Sequence, residues 1–465
     1  MMAKLGEKFT DVFKRNMPDA FVFALVLTLI IGLSAFLWLG SSPLEIVTSW
    51  YNGFWSLLEF GMQMVLLVIT GYSIALSTPV EKGIDVLAKY IKTPKQVYYF
   101  VVFFGFLLSM VSWGWMVIAA VLGRELALRV HGVHYNYLIA CVYFSSISWV
   151  TGLSSSIPLL LNTEKNYMIT NGVLPTVIPT SLTLGSTLNI LMIVVLVLIG
   201  PFLMLLLAPK TKKGDALNDM LEVDKELDAV TIKEEAKRLK LPFRAISDSL
   251  NNSVLLQYSI ALLGGSYIVH HFWTKGLDLN LNIMIFVFLM FGLFLHKTPM
   301  RYSISMKRAS SNVSSILFQF PFYAGIMGIM QFTGLGAELG KLIASVATVD
   351  SYPFFAYLLG GIVNFAIPSG GGEYAVVGPS VIEAVNNIGA GSSPETLQAM
   401  TSRASMAIAY GEGLTNLLQP FFLLLLMPVM AKGIKIQARD VMGYLVIPFL
   451  LYFILQILMV IYVPL

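Results

Sequence analysis

Apolar runs of about 20 residues, separated by short polar segments, recur along the whole chain. That length matches the thickness of bilayer hydrocarbon that one helix crosses. The pattern predicts spans over about 18–39, 53–77, 137–160, 186–208, 254–272, 279–295, 314–331, 404–429 and 444–462. The stretch about 97–128 is too long for one span, too short for two, and broken at Ser112-Trp113-Gly114. It predicts a re-entrant hairpin, two half-length helices meeting at a tip. A second hairpin is expected over about 352–386, broken at Pro368-Ser369-Gly370-Gly371-Gly372. Two spans are themselves interrupted, 137–160 at Thr151-Gly152-Leu153-Ser154 and 404–429 at Gly411-Glu412-Gly413. The expected architecture is all-α and polytopic, about nine transmembrane helices plus two re-entrant hairpins. No small-residue cleavage site follows the first run, which reads as a retained span. The polar stretch 209–252 reads as a cytoplasmic linker, with an amphipathic helix expected near Leu217 to Leu239.

Composition supports this reading. The 465 residues are 57% hydrophobic and 12% charged, and mean hydropathy is +0.77. A soluble domain carries roughly a quarter charged residues. The net charge of +4 is small and sits mostly in loops, which speaks for topology and against a nucleic-acid partner. The single cysteine, Cys141, lies in an apolar segment, so a disulfide within one chain and a cysteine-based metal site are excluded. The five histidines form no metal-binding spacing and read as interfacial residues.

Loop charges orient the chain. Lys8, Lys14 and Arg15, then Lys82 to Lys95, Lys210 to Arg238, Lys297 to Arg308 and Lys432 to Arg439 all fall on one side if the two hairpins do not cross. The positive-inside rule makes that side, and the N-terminus, cytoplasmic. A multi-pass protein of a bacterial inner membrane is expected, surrounded by lipid.

The two halves resemble each other at an offset of about 260 residues. Gly32-Leu33 falls on Gly292-Leu293, and Trp113 at the first tip falls on Glu373 at the second. Gly152-Leu153-Ser154 falls on Gly413-Leu414-Thr415 with one insertion. Residues 1–208 then form one repeat and 279–465 the other, joined by the linker 209–252 and an unpaired helix at 253–272. An odd number of crossings between equivalent points inverts the second repeat. Inverted repeats with broken helices near the midplane are the pattern of secondary transporters.

The breaks carry the candidate chemistry. Irregular backbone survives at membrane depth only where protein buries it or a wet cavity lines it. A half-helix starting there offers free N–H groups to an anion, and one ending there offers carbonyls to a cation. Candidate substrate-binding residues are Ser112, Trp113 and Gly114 at the first tip, and Ser369, Gly370, Gly371 and Gly372 at the second. The broken spans add Ser154, Ser155 and Ser156 before Pro158, and Thr415 and Asn416 before Pro420. Buried carboxyls are expensive in a membrane, so Glu373 and Glu412 are candidates for cation or proton coupling. A Na⁺ near the tips is the only metal this arrangement suggests, and no other cofactor is expected.

Blander readings exist for each feature. Glycine and proline also serve packing and kinks, serines bond back to their own helix, and tryptophans anchor at interfaces. Glu59 suits a structural polar contact. Arg124, Glu125 and Arg129 suit a cytoplasmic anchor or an intrahelical pair, and Arg403 suits the outer entrance. No phosphate-binding GxxxxGK[ST] motif is present, and no nucleophile–base cluster marks an enzyme.

Gly123-Arg124-Glu125, Gly152 to Pro158, Pro368 to Glu373 with Gly378-Pro379, and Thr415 to Pro420 together resemble the short-chain fatty acid transporter family. The resemblance covers nearly the whole chain. It implies a carrier of acetoacetate, butyrate or a similar small carboxylate. It also places the chain within a broader group of elevator-type dimers with two hairpins, so a homodimer is implied. A carrier of the same fold for another carboxylate or an amino acid, and an anion channel, remain as alternatives.

Overall fold

The computed structural model describes residues 8–12, 15–16, 18–55, 58–153, 155–164, 166–170, 172–221, 231–241, 243, 245–276, 281–310 and 313–465. Almost every regular element among them is helical. Local chemistry sets many boundaries. Helix Ala20–Leu39 starts where Asp19 accepts from Phe21 N at 2.9 Å, and stops at Gly40, whose left-handed φ of 68° favours glycine. Helices Pro43–Phe54 and Pro94–Val111 each open with a capping box, Ser42 with Glu45 and Thr93 with Gln96.

Five helices are long and apolar enough to cross a membrane, and up to seven if each bent pair is one span, among the described residues. This is fewer than the nine spans the hydropathy pattern suggests. Leu281–His296 and Tyr352–Val363 are short. Val254–Lys275 is long but diluted by Gln257, Ser259, Ser266, His270 and His271. The expected second span is also divided: its first residues, Gly53 and Phe54, end the separate helix Pro43–Phe54, and the apolar helix begins at Leu58 and runs to Ala75. It bends by 60° into Thr78–Ala88.

The order of elements is the same in both halves. Ala20–Leu39, Pro43–Phe54, Leu58–Ala75 and Thr78–Ala88 are echoed by Leu281–His296, Pro299–Ala309, Ser314–Phe332 and Leu335–Val346. Pro94–Val111 and Met116–Arg129 are echoed by Tyr352–Val363 and Gly370–Ile388. Tyr135–Ser145 and Thr187–Leu207 are echoed by Pro394–Thr415 and Val446–Tyr462, and Val254–Lys275 stands alone.

The two interrupted helices are among the most deeply buried parts of the core. In the run Tyr135–Leu161, 94% of the apolar window is buried, against 17% for Ala20–Leu39. Outer helices expose leucine, valine and phenylalanine, as lipid-facing surfaces do. Small residues let the inner helices meet at backbone distance. A Cβ on Gly53 would lie 2.4 Å from Gly328 Cα, and one on Gly411 would lie 2.0 Å from Tyr357 O.

The last contact corrects the expected break at Gly411-Glu412-Gly413. Helix Pro394–Thr415 runs straight through it. Both glycines serve packing, Gly411 against Tyr357 and Gly413 against Val150. The interruption comes later, at a 3₁₀ turn Asn416–Leu418, and a 46° bend leads into Leu423–Met430.

The linker differs from expectation too. Instead of one helix over 217–239 it has short helices Leu217–Met220 and Ile232–Arg238, and Leu221 is extended; part of the expected helix, 222–230, lies outside the described residues. It is tied to the rest of the chain at several places. Thr211 donates to Gly132 O at 2.6 Å, and Tyr135 N to Asp215 O at 2.8 Å. Further on, Glu235 pairs with Arg308.

Candidate functional site

The second tip begins where Tyr352–Val363 ends and Gly370–Ile388 starts. Ser369 caps the new helix, accepting from Gly372 N at 3.4 Å. The glycines allow the tip to sit against the first broken span. A Cβ on Gly370 would lie 3.0 Å from Trp149, 3.1 Å from Ser156 Oγ and 3.4 Å from Glu412 Oε2. Ser156 and Glu412, from the two broken spans, therefore meet at this tip. Glu373 lies one turn further along the tip helix and is fully buried, as is Glu412.

Asn364 holds the centre together. Its side-chain amide shares two N–H groups among Glu412 O at 3.0 Å, Thr415 Oγ1 at 2.9 Å and Asn416 Oδ1 at 2.9 Å. Gln419 donates to Asn416 Oδ1 at 3.0 Å and to Asn364 O at 3.3 Å. Asn416 reaches Glu412 Oε1 at 3.5 Å. From the first half, Tyr143 OH donates to Asn416 O at 2.7 Å and Gln419 O at 3.1 Å, which satisfies carbonyls freed by the 3₁₀ turn.

Several oxygens at this centre make no hydrogen bond among the described residues. They are Ser156 Oγ, Asn364 Oδ1, Glu412 Oε2, Gln419 Oε1 and both carboxyl oxygens of Glu373. Buried polar atoms are normally paired. A cluster of unpaired acceptors beside two carboxyls suits a proton or a hard cation with oxygen ligands. No group of three or more histidine, cysteine, aspartate or glutamate side chains is placed to hold a metal, among the described residues. A Na⁺ here would rest on hydroxyl, amide and carbonyl oxygens as well as on carboxyls.

The sequence-predicted residues divide into groups. Ser156, Gly370, Gly371, Thr415, Asn416 and Glu412 come together, with Glu373 one turn away. Ser369 and Gly372 form the cap beside them. Ser155 is buried at the start of Ser156–Leu161, and Ser154 lies outside the described residues. The first tip sits elsewhere. Ser112 ends Pro94–Val111, Trp113 packs edge-on against Phe422 at 5.3 Å, and Gly114 sits against Leu67. Each tip thus docks on the interrupted helix of the opposite half.

Other charged candidates have structural partners. Arg124 donates to Met430 O at 2.9 Å and Lys432 O at 2.8 Å, closing the end of Leu423–Met430. Arg129 pairs with Asp85 and Glu125. Arg403 donates to Val460 O at 3.0 Å on the last helix, and Glu59 is exposed. Sequence reasoning missed Asn364 and Gln419. The signal was present, since Asn364 is the one carboxamide in the apolar stretch 352–368, and Gln419 directly precedes Pro420.

Membrane-length apolar helices wrapped around interrupted helices, with carboxyl and amide groups buried at the breaks, define a polytopic membrane transporter. The family profile for short chain fatty acid transporters matches residues 1–463, and the chain belongs to that family. Two curated relatives carry that name as candidates. The Escherichia coli K12 protein is 37% identical and the Haemophilus influenzae one 34%, each over 96% of this chain and 96% of its own. Among solved structures, MtrF of Neisseria gonorrhoeae, from a class of antimetabolite efflux pumps, is 16% identical with a TM-score of 0.40, covering 98% of this chain and 97% of its own. The YdaH transporter of Alcanivorax borkumensis is 14% identical with a TM-score of 0.38, covering 96% and 98%. Neither likeness carries weight for the site.

Proposed function

We infer that the protein is a secondary active carrier, taking short-chain fatty acids or similar small monocarboxylates across the inner membrane in symport with Na⁺ or H⁺. The observation that carries this reading is the meeting of Glu412, Ser156 and the glycine tip, contributed by both halves, beside a second buried carboxyl at Glu373. The substrate carboxylate binds the N–H groups of Gly370 and Gly371, with Gly372 N–H held by the Ser369 cap, and the hydroxyls of Ser154 to Ser156 and Thr415. The acyl tail packs toward the Trp113 tip. Glu373 and Glu412 take the coupling ion or proton, which offsets the cost of burying two carboxyls with an anion. In this reading the tips belong to two re-entrant hairpins, the repeats 1–208 and 279–465 are inverted, and the carrier works by alternating access as an elevator-type homodimer with its N-terminus in the cytoplasm.

The test is uptake of labelled butyrate or acetoacetate into proteoliposomes holding the purified protein, first under a Na⁺ gradient and then under a proton gradient. Accumulation driven by one gradient is expected, and it names the ion. No uptake by protein shown to be folded refutes the monocarboxylate assignment and points to another carboxylate or an amino acid. Flux without saturation or counterflow refutes the carrier and indicates an anion channel.

A further inference from the structure

A cavity of about 260 Å³ lies apart from the site just described. Its walls come from the start of Ala20–Leu39 (Asp19), from Ser314 and Gln319 on Ser314–Phe332, from Leu424 and Met427 on Leu423–Met430, and from Gln437 in the following loop. That loop contains Lys432 and Lys435, and the segment before Asp19 contains Lys8 and Arg15. The cavity thus opens on the lysine-rich face, which the positive-inside rule makes cytoplasmic.

The cavity and the buried carboxyl centre share the segment around Phe421. Gln319 and Leu424 line the cavity; Tyr323 lies one helical turn beyond Gln319, and Phe421 lies in the turn three residues before Leu424. Phe421 stacks on Phe320 with centroids 4.5 Å apart and meets Tyr323 edge-on at 4.8 Å. Behind Phe421 come Gln419 and Asn416, which bond to Asn364 and Glu412. In the chain, Phe421 stands between Leu424 at the cavity and Gln419 at the centre.

Two polar groups in this wall are unpaired among the described residues. Gln319 is 4% exposed and its Oε1 makes no hydrogen bond there; Tyr323 is fully buried, and its OH is also unbonded among them. Such groups are stable only where water or a polar solute reaches them. Pro321 lies between them and removes one backbone hydrogen bond from the helix, a natural point of flexure.

We propose that this cavity is the cytoplasmic vestibule of the transport route, with Gln319 as a polar way-station for the solute and the Phe320–Tyr323–Phe421 layer as its inner gate. The inference rests on the carrier reading above. When the layer parts, Tyr323 OH and the Gln319 amide are donors to a small carboxylate leaving the centre. When it is stacked, the centre is sealed from the cytoplasm.

The test uses the full chain in sealed membrane vesicles of either orientation. The unmodified protein, whose one cysteine is the buried Cys141, is the control. Gln319→Cys and Ser314→Cys are treated with a charged, membrane-impermeant thiol reagent, and labelled butyrate uptake is measured. Reaction from the cytoplasmic face alone, with loss of uptake and slower reaction at Gln319→Cys in butyrate, is expected. Reaction from the outer face, no reaction at either position, or full reaction with normal uptake overturns the vestibule. Phe421→Ala is expected to speed downhill butyrate efflux and lower the accumulated ratio, and an unchanged ratio in folded protein overturns the gate. If the unmodified protein moves no butyrate, the carrier reading fails separately. One-sided labelling of Gln319→Cys then still supports a vestibule, and its absence refutes one.

Discussion

Three adjacent glycines at the second tip allow a sharp prediction, because a methyl group meets a different wall at each. All three lie at the start of Gly370–Ile388 in helical backbone. Alanine there favours the helix by about 0.8–1 kcal/mol. At Gly371 the added methyl finds Ser156 Cβ at 3.6 Å, an ordinary contact. At Gly370 it finds Trp149 at 3.0 Å, Ser156 Oγ at 3.1 Å and Glu412 Oε2 at 3.4 Å. Each of the two nearest groups must retreat by a few tenths of an ångström, and overpacking of this kind costs about 1–3 kcal/mol. The propensity gain offsets part of it, so net stability falls by about 0–2 kcal/mol. The crowded groups are the ones assigned to the solute and the ion. A penalty of about 1–3 kcal/mol on the closed tip lowers its occupancy by roughly 5- to 150-fold. The assay pairs butyrate uptake in proteoliposomes with thermal unfolding in detergent. Gly370→Ala is expected to unfold close to the unmodified temperature and to transport poorly, while Gly371→Ala unfolds no lower. Gly370→Ala transporting normally while Gly371→Ala fails would mean that the tip faces its wall the other way round, and the reasoning would be wrong.

Glu412→Gln is expected to keep exchange of labelled for unlabelled solute and to lose gradient-driven accumulation; normal accumulation would remove this carboxyl from coupling. Gly411→Val drives side-chain carbon into Tyr357 O, a backbone atom that cannot yield, so the loss should exceed the usual ~1–3 kcal/mol of overpacking and show as a lower melting temperature; an unchanged melt refutes the packing role. Arg124→Lys replaces a two-pronged donor by a point charge; Tyr135 OH still donates to Met430 O at 2.7 Å, so Lys432 O is the carbonyl that loses its partner, costing about 1–3 kcal/mol, again read from melting. Asn364→Leu removes the donor shared by Glu412 O, Thr415 and Asn416, and uptake should fall with little change in the amount of folded protein inserted; normal uptake would make the amide dispensable.

Much of the framework is legible in the chain because the bilayer punishes exceptions. A cluster of serine and glycine inside an apolar run has few uses at membrane depth, and the helix breaks at 112–115 and 364–369 and the interruption after Ser145 fall beside such clusters. Gly411 and Gly413 mislead for the same reason. A glycine that ends a helix and one that lets two helices touch look identical in one sequence, and only the partner strand of atoms, Tyr357 O or Val150, separates them. The amphipathic helices Thr78–Ala88 and Leu335–Val346 escape a hydropathy reading because their polar faces dilute it. Asn364 escapes because its importance comes from meeting Glu412, Thr415 and Asn416, which are distant in the chain. Arg124 is visible as a charge, but its task at the end of another helix is not.

The crossed docking of tips and broken helices sets a timetable for synthesis. Ser156 lies about 210 residues before Gly370 in the chain, and Trp113 lies further still before Phe422. At roughly 5–20 residues per second, the first half waits about 10–40 s in the membrane before its complement emerges from the ribosome. For that interval the surface that receives the second tip, Trp149 and Ser156, stands without its partner. A nascent chain stalled before residue 370 therefore displays to membrane quality control a half-built interior, and its lifetime depends on how well lipid or an insertion factor shields it.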